Sequence, residues 1–135
     1  MNVKQWLSRA RNLDREIEIL LKARDAEVEK VTSITQSLTG NVVQSTKDPH
    51  KFDRVAELEY ELDRKIDELV SIKAEVAREI GKLSDTRYRT VLYERYIESK
   101  SFEQIAVDIH YTWRQTCRFH GRALIEMEGI LNATK

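Results

Sequence analysis

Two long stretches of this chain repeat apolar residues at spacings of three and four, and nowhere does an alternation of period two last long enough to make a strand. In the first, Val3, Trp6, Ala10, Leu13, Ile17 and Leu20 give way, after a change of phase, to Leu21, Val28, Val31 and Ile34. In the second, Val55, Leu58, Leu62, Ile66, Leu69, Val76 and Ile80 are separated by acids such as Glu57, Glu59, Glu61 and Asp63. That spacing lays one narrow apolar stripe along a helix, and here it predicts helices over about 3–38 and 53–81. The intervening TGNVVQSTKDPHKFD collects Gly40, Asn41, Ser45, Asp48 and Pro49 and reads as a loop over 39–52. Four glycines and one proline in 135 residues, with 34% of residues charged, leave little material for a sheet protein with many turns. The fold class expected is all-α: a long antiparallel, coiled-coil-like hairpin over 1–83, then a second helical domain over 84–135. A single seam buries little for its length, so the hairpin is expected to lean on a partner: its own copy, the C-terminal domain or another protein.

Composition narrows function mainly by exclusion. Lys plus Arg equals Asp plus Glu at 23 each, so any case for an anionic partner must come from local charge. One cysteine, Cys117, precludes an internal disulfide, and three scattered histidines offer no zinc spacing. No apolar run reaches signal-peptide or membrane-span length, which suggests a cytoplasmic chain without membrane, metal or cofactor. An enzyme is not expected. Glu57 and Glu61 lie one turn apart on a charged helix, as solvated carboxylates usually do, and Cys117 and His120 lack a third orienting group.

The second domain is richer in signals. Ser84 and Asp85 can cap a helix over TRYRTVLYERYIES with Val91, Leu92 and Tyr96 inward. Ser101-Phe-Glu-Gln104 and Thr112-Trp-Arg-Gln115 are two S/T-x-x-Q phrases eleven residues apart, each the mark of a helix start. The interval admits one helix of about eight residues, a tight turn and a second helix, the layout of a helix-turn-helix. Ala106 is the small residue such a crossing needs, Ile105, Ile109, Phe119 and Ala123 surround it, and His110 falls where the backbone often turns left-handed. Thr116 brings a hydroxyl to the packed side, where it needs a carbonyl partner.

From Ile109 to Ile125 there is no acid, while Arg114, Arg118 and Arg122 recur every fourth residue and His120 adds to the basic run. Three guanidinium groups on one helical face can fork onto guanine O6 and N7 or onto phosphate. Trp113 and Gln115 stand in the first turn, where base edges are met, although Gln115 is also the natural partner of the Thr112 cap and Trp113 could instead cover the hairpin.

The segment RYRTVLYERYIESKSFEQIAVDIHYTWRQTCRFHGRAL resembles region four of bacterial sigma factors, through Leu92, Arg95 and Tyr96, then Ser101, Ile105 and Ala106, then Arg122, Ala123 and Leu124. Its ending, YTWRQTCRFHGRAL after a long helical hairpin, is similar to small phage and prophage proteins of Gram-positive bacteria that act as sigma-like or late-gene transcription regulators. The resemblance implies a sequence-specific regulator that meets double-stranded DNA through Thr112, Trp113, Arg114, Cys117, Arg118 and Arg122, to which the first-turn position adds Gln115 as a candidate contact. It implies a hairpin available for contact with RNA polymerase or for a homodimer. The segments with which sigma factors melt a promoter are not found in the N-terminal part. Two other readings are a helical adaptor that docks on protein, and a phage DNA-packaging recognition subunit.

Overall fold

The computed structural model describes residues 1–37 and 50–133, and most of the expected 39–52 loop lies outside them. Every regular element in the described residues is helical. They divide into two compact units, Asp14–Glu68 and a second unit made of Met1–Leu13 with Leu69–Lys135.

The chain opens with a short helix, α1 (Val3–Leu7), where one continuous helix was expected. Asn2 and Gln5 form a reciprocal cap, the Asn2 amide oxygen accepting from Gln5 N–H at 2.8 Å and Gln5 Oε1 accepting from Asn2 N–H at 3.0 Å. The break comes at Ser8, whose hydroxyl donates to the Lys4 carbonyl at 2.6 Å and whose backbone N–H turns to the carbonyls of Lys4 and Trp6. The interruption is slight, since the Ser8 N–H keeps its bond to the Lys4 carbonyl at 3.0 Å and the Ser8 carbonyl accepts the Asn12 N–H at 2.9 Å, while the Trp6 carbonyl also takes the Arg9 Nε–H at 3.0 Å; α2 (Arg9–Ser37) follows. The second long helix, α3 (Asp53–Ile80), has the expected bounds within a residue.

In the Asp14–Glu68 unit the buried side chains are Ile17, Val31, Leu58 and Leu62, all on the stripes read from sequence. Lys65 reaches Glu16 at 3.0 Å, an exposed pair of the kind that contributes at most about 1 kcal/mol.

The other unit holds the main core. After α3, Asp85 caps α4 (Thr86–Leu92) by accepting the Arg87 N–H at 2.8 Å. The helix then widens into one π-helical turn, Tyr93–Ile97, with Glu98 N–H bonding the Tyr93 carbonyl at 3.2 Å. Ser99 turns left-handed at φ 57° and ends it. Two more helices follow, α5 (Phe102–Ile109) and α6 (Trp113–Ala133). Val91, Leu92, Tyr96, Ile105, Ala123 and Met127 are at most 1% exposed, together with Val76 and Leu7. Each buried Val, Leu, Ile or Met among them contributes roughly 1.5–3 kcal/mol. Leu7 is notable because it brings α1 into the core of the C-terminal helices, with Val3 and Trp6 packed at its edge.

Candidate nucleic-acid interface

Two helix starts and one left-handed residue set the geometry of the α5–α6 pair. Ser101 Oγ accepts the Gln104 N–H at 3.2 Å, but the Gln104 amide turns to Asp108 at 2.8 Å, so this first phrase is only half of the expected box. The second is complete. Thr112 Oγ1 accepts the Gln115 N–H at 3.1 Å, while Gln115 Oε1 accepts the Thr112 N–H at 3.1 Å. Between them His110 takes φ 63° and ψ 38°, the left-handed region that histidine enters more readily than most side chains. The Tyr111 N–H then reaches back to the Ala106 carbonyl at 3.1 Å, closing the end of α5 in the Schellman manner.

Aromatic contacts hold α6 in place from below. Phe119 meets the edge of Tyr111 at 4.9 Å and tilts against Tyr88 at 6.2 Å, and Ala106 is 6% exposed beside them. The Thr116 hydroxyl donates to the Thr112 carbonyl at 2.9 Å, which satisfies a polar atom on a fully buried residue. His120 departs from expectation. It belongs to the core, 9% exposed, with Nε2 2.7 Å from the Tyr96 hydroxyl and the Phe102 ring edge-on at 4.9 Å. Burial, with Lys4 and Arg95 nearby, pushes its pKa from 6.5 down to about 4, so it is neutral and adds nothing to the basic surface.

The expected contact residues gather on one helix. Thr112, Trp113, Arg114, Gln115, Arg118 and Arg122 are exposed, Trp113 by 54%, and Cys117 is half-buried beside them as a free thiol. Gln115 has its oxygen engaged by the cap, which leaves its NH₂ group as the end that could meet a ligand.

What distinguishes α6 is how the other cations of residues 84–133 are used. Arg87 pairs with Asp85 at 2.9 Å and lies 4.9 Å from the Phe119 ring centre. That pairing holds the Asp85 carboxyl below its usual range and the guanidinium above its own. Arg89 donates to the carbonyls of Leu83 and Ser84 and to Thr86. Arg95 covers the Phe102 ring at 4.3 Å and donates to the Lys100 carbonyl. Lys100 is held by Asp108 at 2.9 Å, Glu98 at 3.0 Å and Glu94 at 3.2 Å, and its pKa is raised by them, Asp108 first. Arg114, Arg118 and Arg122 form no ion pair, hydrogen bond or ring contact among the described residues. Four cations are consumed by the domain, and three project from one face of α6 over about 12 Å of helix.

Comparison with family models, with curated proteins and with solved structures gave no match to this chain. Among the described residues no three or more acidic, histidine or cysteine side chains gather as a metal would need, and no helix is long and apolar enough to cross a membrane.

Sequence reading missed two features here. The π-helical turn leaves the apolar spacing almost unchanged, so nothing in the pattern marks it. The Tyr96–His120 pair had no signal beyond a histidine one residue after a core phenylalanine.

Proposed function

We propose that this chain is a sequence-specific DNA-binding transcription regulator of the sigma-like or late-gene kind, with α5, the His110 turn and α6 acting as a region-four-like helix-turn-helix. In this reading α6 enters the major groove. Arg114 and Arg118 meet bases or phosphate, Arg122 meets phosphate, and Thr112, Trp113, Gln115 and Cys117 line the approach. The observation that carries it is the contrast in cation use: every other Arg or Lys of residues 84–133 is ion-paired, stacked on a ring or, for Arg89, hydrogen-bonded to carbonyls within the domain, while the α6 row is held outward with no acid from Ile109 to Ile125. Three unpaired guanidinium groups on a rigid helix suit a polyanion, and their setting on a helix started by a full capping box suits a groove. Helices α2 and α3 are read as a long antiparallel hairpin that offers its charged faces to a second protein, RNA polymerase being the partner this reading implies.

The exposure of Val107 at 68% and Trp113 at 54% favours the rival reading, a protein-docking adaptor. Selection from a pool of random duplexes separates the two. Enrichment of a motif, with Arg118→Ala weakening binding by about 1–3 kcal/mol and relaxing one base position, supports the regulator. A pool that stays random, or binding indifferent to Arg118→Ala, removes it.

A further inference from the structure

The carboxyl half of α6 has an outward face that none of the described chain covers. Ile125 is 72% exposed, and Gly121 and Gly129 stand one turn before and one turn after it. Among the described residues a Cβ placed on either glycine would meet nothing within 4 Å, so neither is required by a contact there. Mid-helix glycine costs about 1 kcal/mol relative to alanine, and here no internal contact offsets it. Charge along the same helix is divided at Ile125: Arg114, Arg118 and Arg122 come before it, Glu126 and Glu128 after it. None of these five forms an ion pair among the described residues.

We propose that α6 packs antiparallel against the α6 of a second copy of this chain, about a two-fold axis beside Ile125. The occupant follows from charge. Antiparallel pairing about Ile125 sets Arg122 of each helix opposite Glu128 of the other, with Arg118 opposite Asn132, and the two-fold axis repeats the match at both ends. It also opposes the two helix dipoles, whereas a parallel pair stacks arginine on arginine. A duplex complements only the amino half, because beyond Ile125 its phosphates meet Glu126 and Glu128. The bare backbone at Gly121 and Gly129 lets the axes approach to about 8 Å, the short end of the usual range, and brings the two Ile125 side chains into contact. A face of about three turns buries less than the roughly 800 Å² per partner of stable complexes, so the dimer is weak and its population follows concentration.

Arg118 and Arg122 lie on the covered face. If the DNA reading above is right, self-association and duplex binding compete, and the dimer is an inactive reserve. That consequence rests on the DNA reading, whereas the association itself does not.

Sedimentation equilibrium of the full chain, without DNA, from low micromolar to several hundred micromolar tests it. The expected result is a monomer–dimer equilibrium. Ile125→Asp and Arg122→Glu should each raise Kd by at least about tenfold, and Arg122→Glu combined with Glu126→Arg and Glu128→Arg should bring it back to within about threefold of the parent. Circular dichroism of each variant shows that the exposed substitutions leave the fold intact. Independently, Ile125→Cys in a Cys117→Ser background should oxidise to a disulfide-linked dimer, since the axis sets the two residues side by side. A monomer at every concentration, a dimer indifferent to these substitutions, which places the contact elsewhere on the chain, or the absence of the cross-link overturns the proposal.

Discussion

Replacing His120 by glutamine should remove a defined part of the acid sensitivity of the C-terminal helices. His120 is 9% exposed, bonded to Tyr96 at 2.7 Å, and its pKa falls from 6.5 to about 4, first through burial and then through Lys4 and Arg95. A histidine whose folded pKa is depressed binds its proton in the unfolded chain first. Stability is therefore complete above about pH 6.5, falls as the pH drops through the interval from 6.5 to about 4, and is level below it. At about 1.4 kcal/mol per pKa unit the whole interval corresponds to about 3 kcal/mol, and the portion between pH 7 and pH 5 to about 2 kcal/mol. Stopping near pH 5 keeps most carboxylates ionised. Glutamine can still accept from the Tyr96 hydroxyl, and it does not titrate. The assay is urea unfolding at the two pH values in a Trp113→Phe background, followed by the fluorescence of Trp6, which packs against the same core. The parent should lose about 2 kcal/mol more than His120→Gln on acidification. Equal losses in the two proteins would falsify the assignment of a buried neutral imidazole.

Two further outcomes follow from the packing. Leu7 is fully buried although it lies in the first helix, so Leu7→Ala should destabilise the helices beyond Ser84 by about 2–5 kcal/mol, read as the loss of hydrogen-exchange protection at Val91 and Ile105; unchanged protection there contradicts its place in that core. Thr112→Ala removes the cap of α6 and one partner of Gln115, and should cost about 1 kcal/mol in thermal unfolding, while Ser101→Ala, which breaks only half a box, should cost less.

The helices were legible because their causes are local. The three- and four-residue spacing laid out α2 and α3, and the S/T-x-x-Q phrases marked the starts of α5 and α6, since a cap is decided within four residues. His110 could be placed in the turn because only a few side chains tolerate the backbone it adopts. The break at Ser8 was hidden because Leu7 and Ala10 keep the apolar spacing across it, so periodicity stays intact through a local change in the backbone. Ala10 and Leu7 are both buried on either side of that break. His120 was read as part of a basic run because a sequence shows charge type but not the Tyr96 hydroxyl that meets the ring twenty-four residues away. The joining of α1 to the C-terminal core has the same origin, a contact between distant residues that leaves no periodic trace. The arginine row was visible in the spacing. That it is the unspent part of the domain's positive charge became apparent only once the partners of Arg87, Arg89, Arg95 and Lys100 were in view.

The most direct test of that row is the salt dependence of binding to a selected duplex. If Arg114, Arg118 and Arg122 neutralise phosphates, the logarithm of the association constant should fall against the logarithm of salt with a slope of about −3 per protomer, and each Arg→Ala change at a phosphate contact should reduce that slope by about one. A slope near zero, or one that these three substitutions leave unchanged, contradicts the account.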